Sequence, residues 1–310
     1  MEGDRVALRG DLLVPEPVPG SVRVRVHASS VNAHEVSLAR HPLVRLARSL
    51  ARVSSQVETG LEFAGVVDAD GQAFHRGDRV MGYVNMVTGL KPHAEYVVLP
   101  ESQLARVPPE LTLAEAAALP LGAQTALVAL HDVARVEAGQ AVLVLGASGG
   151  VGVMAVQLAQ RIGARVTAVA SGAHLARLEA LGADRLVDYR TTSLSELQGA
   201  FDAVLDFSNT ASLAGVQHLL APAGSFVPAD PVRHLRDVLL RPAAKWLMVD
   251  RGDARRLEEI AELARTGQLQ PVVDSVFALD AWRAAVARSE DRARFGRVVL
   301  RFAGAGDEAA

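Results

Sequence analysis

The run Val142-Leu143-Val144-Leu145-Gly146-Ala147-Ser148-Gly149-Gly150-Val151-Gly152 constrains this chain more than any other stretch. Val142 to Leu145 reads as a buried strand, Val151 to Ile162 reads as a helix, and the spacing Gly146-x-x-Gly149-x-x-Gly152 joins them. A turn of this kind needs glycine because the backbone reverses tightly and must approach a ligand closely. The first N–H groups of a helix lack partners and its dipole is positive at that end, so a pyrophosphate is the expected occupant of such a turn.

Two other readings share these residues. Gly146-x-Ser148-x-Gly150 matches the strand–turn–helix elbow that carries the nucleophile of serine hydrolases. An elbow also needs an acid and a histidine; Asp206 with His218 or His234 are available, and nothing in the sequence brings them together. The extra glycines at 149 and 152 favour phosphate. The remaining reading is a strand–helix turn that is merely tight.

The second strand of the unit, Val166 to Ala170, ends at Ser171-Gly172-Ala173-His174. An NAD site usually carries Asp or Glu there to bind the ribose 2′-hydroxyl. With Ser171 as a donor, His174 or Arg177 as a cation and no carboxylate in that stretch, NADP(H) is expected over NAD(H).

Composition removes several classes. Half of the 310 residues are hydrophobic and the net charge is −3, so a large core is available and bulk attraction to nucleic acid or an anionic membrane is not expected. No cysteine is present, which excludes disulfides, thiolate metal sites and a cysteine nucleophile. Gly139 to Gln160 is uncharged, but its glycines, Ser148 and Gln157 make it a strand–turn–helix rather than a membrane span. Met1 to Arg5 has no secretory pattern, so a cytoplasmic location is expected.

Short strands are expected at Val22–Val26, Phe63–Val67, Asp78–Gly82 and Glu95–Leu99. Thr112 with Glu115 forms a capping-box signature. Beyond it strands and helices alternate, among them a strand at Phe201–Asp206 and helices at Ala211–Leu220 and Ala254–Arg265, implying a parallel doubly wound sheet, and the C-terminal end returns to strands. The expected division is 1–115 with 278–310 as one domain and 116–277 as the dinucleotide-binding domain. Val232 to Val249 reads as an amphipathic surface helix with solvated charges.

With these residues assembled, the chain resembles the medium-chain dehydrogenase/reductase superfamily, in its zinc-independent quinone oxidoreductase-like branch. The matching stretches are Ser30-Val31-Asn32, Gly60-Leu61-Glu62-Phe63-Ala64-Gly65-Val66-Val67, Gly77 to Val80, Ala94 to Tyr96, Ala116 to Pro120, Thr125-Ala126, Gly146 to Gly152, Leu181 to Asp184 and Asp188-Tyr189. The resemblance implies an α/β fold: a Rossmann sheet plus a partly open, GroES-like β-barrel domain. It implies NADPH delivering hydride to a quinone or to the β-carbon of an α,β-unsaturated carbonyl, and a homodimer. By match to the family's positions, Thr125 lies near the nicotinamide, and Gly146 and Ser148-Gly149-Gly150-Val151 with Gly152 meet the pyrophosphate. Ser171, His174 and Tyr189 surround the 2′-phosphate, and Arg292 is a further phosphate contact. Zinc is not expected: cysteine is absent and Leu61 stands where zinc-dependent members carry a histidine before Glu62. Asn32 is the candidate to donate to a developing enolate oxygen, with Tyr83, placed on the loop after Gly82, as a second donor; a turn cap is the alternative for Asn32.

Four departures from the family pattern bear on function. The chain enters near Val6-Ala7-Leu8, where the family has an additional strand. Ala33-His34-Glu35 replaces a proline and an aspartate, and adjacent residues of a helix do not face each other, which favours a solvated helix start over a proton-handling pair. No tyrosine lies in residues 36–45, leaving His41 as the titratable substitute there. The loop Asp206-Phe207-Ser208-Asn209-Thr210 replaces a Val-Gly. The leading expectation is a reductase of quinones or enones. Beside it stand a biosynthetic reductase or non-redox cyclase on the same scaffold, a non-catalytic NADPH-binding or RNA-associated protein, and the hydrolase.

Overall fold

A computed structural model describes residue 8 and residues 10–32, 59–85 and 92–302. The chain divides into two compact units, the first comprising 1–121, 250–266 and 273–310, the second 122–249 and 267–272.

In the first unit, β1 (Ser21–Val31) is the hub of a seven-stranded sheet with β2 (Glu62–Ala69), β3 (Arg79–Tyr83), β4 (Tyr96–Pro100), β5 (Leu104–Arg106), β11 (Val273–Ala278) and β12 (Arg297–Arg301). The order is β11-β12-β1-β2-β3-β5, with β4 also paired to β1. All pairings are antiparallel except β11 with β12. The alternation Val22, Val24, Val26 buries one face of β1 against Phe63, Val80, Leu104 and Trp282. Helix α1 (Leu113–Ala116) opens on the expected capping box, Thr112 and Glu115 exchanging side-chain and main-chain bonds. Helix α8 (Trp282–Glu290) precedes β12. Asp274 of β11 binds the Arg288 guanidinium at both oxygens, 2.7 Å each, and also accepts from the Phe295 N–H at 2.8 Å.

The second unit holds an all-parallel sheet of order β10-β9-β6-β7-β8, made of β6 (Ala141–Leu145), β7 (Arg165–Ala170), β8 (Arg185–Asp188), β9 (Phe201–Asp206) and β10 (Leu220–Pro228). The order runs outward from β6 in both directions, the doubly wound arrangement expected of alternating strands and helices. Helix α2 spans Pro120–Leu127, α3 spans Gly152–Ile162, α4 spans Leu175–Ala180, and α5 spans Leu213–Val216. Gly163 ends α3 in the left-handed conformation.

Three expectations change. Helix α7 (Ala254–Arg265) has the predicted ends but belongs to the first unit, as does β11, so the 116–277 division does not hold at its C-terminal side. An amphipathic pattern says that one face is buried, not against which sheet. Val232–Val249 is not one helix: only α6 (Leu235–Leu240) forms, with none of its residues buried. Pro242 cannot continue a helix, and Ala244 instead bridges Phe226 alongside β10. Ala211–Leu220 shortens to α5 and a 3-10 turn, because Leu220 already pairs with Phe201 as a strand.

Candidate dinucleotide site

Gly146 follows β6 with φ +73, and a Cβ there would stand 2.9 Å from the Ser208 nitrogen. A Cβ on Gly152 would meet the Ala147 Cα at 2.7 Å. Both glycines are therefore required by the backbone itself. The turn is held by Gly149 N–H to the Gly146 carbonyl at 3.0 Å and Ala147 N–H to Val169 of β7 at 3.1 Å. Val151 caps the eleven-residue helix α3 without a side-chain bond, and the Val153 N–H turns back to the Gly149 carbonyl at 3.0 Å. Ser148 and Val151 are half-buried, Gly150 is buried, and Thr125 lies half-buried on α2.

The same geometry removes the hydrolase. Asp206, fully buried, accepts from the Ser208 N–H and hydroxyl at 3.0 and 2.6 Å and from the Ala211 N–H at 3.0 Å. His218 bonds the Leu194 carbonyl through Nε2, and His234 stands edge-on to the Phe226 ring. Asp206 thus organises its own loop, and neither histidine is oriented by it as a triad requires.

Ser171 closes β7 and precedes the 3-10 turn Gly172–His174. Ser171 and His174 are buried, whereas Tyr189 is exposed. One expectation is corrected here. Asp188, the last residue of β8, pairs in register with Ala170 of β7. Its Oδ2 would lie 2.5 Å from a Cβ on Gly172. A carboxylate is therefore present beside this turn, supplied from the neighbouring strand. Its Oδ1 accepts from the Arg190 N–H at 2.9 Å, and the Arg190 guanidinium lies 6.0 Å from the Tyr189 ring centroid. Sequence position concealed both residues, since neither belongs to β7.

The loop after β9 abuts Gly146. Phe207 N–H bonds the Leu145 carbonyl at 3.1 Å, and Arg233 donates to the Asn209 carbonyl at 2.8 Å. Asn209 adopts φ +55, and its side-chain Oδ1 is buried without a hydrogen-bond partner. What distinguishes this loop is a strained, under-satisfied amide.

In the first unit, Glu62 of β2 is fully buried. Its carboxylate accepts from the Ser30 hydroxyl and from the Leu121 N–H at 2.6 Å, and stands 3.0 Å from Arg297 Nη2. That last contact is an ion pair without hydrogen-bond alignment, and Arg297 Nε and Nη2 remain without an aligned acceptor. Arg297 Nη1 donates to the Asn32 side-chain oxygen. Asn32 is thus held by a side chain from the far end of the sequence, which a turn cap would not require. Tyr83 corrects another expectation: it is the last residue of β3 rather than a loop residue, and it is fully buried.

Arg292 is exposed in the first unit. Ala33, His34, Glu35 and His41 lie outside the described residues. The donors for zinc do not fit: the chain has no cysteine, position 61 is leucine, and the Glu62 carboxylate already serves Ser30, Leu121 and Arg297. Among the described residues no three histidine, aspartate or glutamate side chains converge to hold a metal ion, and no helix is long and apolar enough to cross a membrane.

Residues 18–109 match the alcohol dehydrogenase GroES-like domain family, and residues 181–300 match the zinc-binding dehydrogenase family. The 2-methylene-furan-3-one reductase of Solanum lycopersicum is 30% identical over 87% of this chain and 68% of its own length. Erythronolide synthase EryA2 of Saccharopolyspora erythraea is 35% identical over 96% of this chain, which spans only 8% of that protein. The solved structure of the quinone oxidoreductase from Coxiella burnetii superposes with a TM-score of 0.82 at 25% identity, covering 94% of this chain and 93% of that one.

Proposed function

Because the chain belongs to the medium-chain dehydrogenase/reductase superfamily, as a quinone-oxidoreductase-like member, we propose that it is an NADPH-dependent, zinc-independent oxidoreductase of quinones or α,β-unsaturated carbonyls. The observation that carries this reading is the glycine turn of the second unit, which joins β6 to α3 through Gly146 and Gly152, positions where the surrounding backbone leaves no room for a Cβ. Main-chain N–H groups from Ser148 to Gly152 would hold the pyrophosphate. Ser171, His174 and Tyr189 would surround the adenosine 2′-phosphate, and Thr125 the nicotinamide; Arg292 is kept as a further phosphate contact. Bound NADPH would supply a hydride to the electrophilic carbon of the substrate.

Asn32 is proposed to donate from its side-chain amide to the oxygen on which negative charge develops. Arg297 supports that role by donating to the amide oxygen, which fixes which end of the Asn32 amide carries the donors. The reductase named for the Solanum lycopersicum relative supports the enone class. The test is NADPH oxidation by the purified protein against a panel of quinones and enones, with NADH in parallel. Turnover with NADPH ahead of NADH is expected. Absence of turnover on every acceptor, in protein that binds NADPH, would overturn the reductase and leave a binding protein.

A second reading is favoured by the similarity to erythronolide synthase: a biosynthetic reductase or non-redox cyclase acting on a secondary-metabolite intermediate. Conversion of such an intermediate without net NADPH loss separates it from the first. A cytoplasmic homodimer is proposed on the same footing. The outer edge of β10 is lined by residues near Ala244, with Trp246 and Met248 exposed beside it, and sedimentation velocity tests that association.

A further inference from the structure

Asp188 falls in a stretch that matches the family, yet neither the glycine turn nor the resemblance gives it a role. The rule for dinucleotide sites places a carboxylate at the end of the second strand, where it binds the ribose 2′-hydroxyl and repels a 2′-phosphate. In this chain that strand is β7, and it ends at Ala170 and is followed by Ser171, not by an acid. The register of the sheet, however, sets Asp188 of β8 directly beside Ala170, the last residue of β7. From there its Oδ2 reaches across to Gly172, so closely that a Cβ on that glycine would lie 2.5 Å away. The carboxylate is thus delivered to the Ser171–His174 turn from the adjacent strand.

Its environment keeps it aimed there. Oδ1 accepts from the Arg190 N–H at 2.9 Å, and the Asp188 carbonyl accepts from the Thr191 and Thr192 N–H groups at 3.1 and 2.9 Å, so side chain and backbone are both fixed. Among the described residues no arginine, lysine or histidine forms an ion pair with this carboxylate. The nearest cation by sequence, Arg190, places its guanidinium toward the Tyr189 ring instead.

We propose that Asp188 is a specificity-determining residue for the ribose 2′ position: it accepts from a 2′-hydroxyl and opposes a 2′-phosphate, so that the preference for NADPH is modest and NADH is also bound. This rests on the dinucleotide reading of the glycine turn. A carboxylate within a few ångströms of a dianionic phosphate, at the edge of solvent, changes affinity by on the order of tenfold.

The decisive variant is Asp188→Asn, which retains an oxygen for the Arg190 N–H and removes the charge. Dissociation constants are measured by calorimetric titration for NADPH, NADH, adenosine 2′,5′-bisphosphate and 5′-AMP, without any substrate. The unaltered protein is expected to favour NADPH over NADH by about tenfold or less. Asp188→Asn is expected to raise that ratio by about tenfold, tightening the bisphosphate and weakening 5′-AMP, whose 2′-hydroxyl loses its carboxylate acceptor. A ratio in the unaltered protein above about 100-fold, or a ratio that Asp188→Asn does not move, would overturn the assignment of Asp188. Failure of the unaltered protein to bind either dinucleotide would instead overturn the reading on which it rests. A shift of all four ligands together would mark a general distortion of the turn, and also counts against Asp188.

Discussion

The side-chain oxygen of Asn32 accepts a hydrogen bond from Arg297, whose guanidinium also stands 3.0 Å from the fully buried carboxylate of Glu62. Three strands, β1, β2 and β12, meet in this contact, and each contributes one partner or its neighbour in sequence. Removing the cation leaves a buried carboxylate uncompensated, which costs about 3–5 kcal/mol. Arg297→Met is therefore expected to lower the urea midpoint severely, while the double variant Glu62→Gln with Arg297→Met loses less than the single one. An Arg297→Met protein of unchanged midpoint would show that the pair contributes nothing.

Asn32 itself is partly exposed and makes no comparable contribution to the core. Under the proposed function, Asn32→Ala is expected to reduce kcat by ~100-fold or more, the usual effect of losing one oxyanion donor, with the dissociation constant for NADPH unchanged. Stopped-flow reduction and a cofactor titration together check both halves. Equal loss in both would make Asn32 a structural residue.

A methyl group on Gly152 has no room, since Ala147 Cα stands 2.7 Å from its position. Gly152→Ala is expected to weaken NADPH binding by tenfold or more, as overpacking at a fixed turn costs ~1–3 kcal/mol. Fluorescence titration of NADPH measures it. Unaltered affinity would mean that the turn does not hold the cofactor.

Asn209 combines a left-handed backbone with a buried, unpartnered side-chain oxygen. The conformation costs about 1 kcal/mol and the orphan oxygen ~1–3 kcal/mol, against ~0.5–1 kcal/mol of extra chain entropy for glycine. Asn209→Gly is thus expected to stabilise the protein by ~1 kcal/mol, read as a higher midpoint in thermal unfolding. Destabilisation would show that the amide makes a contact worth more than its strain.

Burial raises the proton affinity of the Asp274 carboxyl, but the Arg288 guanidinium, the Phe295 N–H and the Ser275 hydroxyl outweigh it and hold the group below its ordinary value. A carboxylate depressed in the folded state stabilises the fold above its unfolded pKa, near 3.8, and that contribution is lost as pH falls through the lower folded value. Asp274→Asn is expected to cost about 2 kcal/mol at pH 7, in line with hydrogen bonds to a charged group. The gap between the two proteins should close as pH falls below 4 in urea titrations. A gap independent of pH would contradict the charge as its source.

Much of this fold was legible beforehand because its signals are local. The strand Phe201–Asp206 and the helix Ala254–Arg265 lie where hydrophobic period and capping residues place them, and the Thr112–Glu115 box forms as its spacing requires. β5, only three residues long, has no periodicity to detect and exists because β3 pairs with it. The long amphipathic segment after Val232 failed as a helix because Phe226 offered its backbone to the chain near Ala244.

By itself, then, the sequence determined the glycine turn, the parallel sheet around it and the absence of any cysteine-based chemistry, since each depends on residue type at short spacing. Tertiary structure alone decided which charges meet. Asp188 reaches the turn after β7 only through strand register, Arg297 reaches Asn32 only through the pairing of β12 with β1, and Tyr83 enters the core only because β3 runs through its position. Electrostatics and burial depend on distance in space, and pairing between strands far apart in the chain sets that distance.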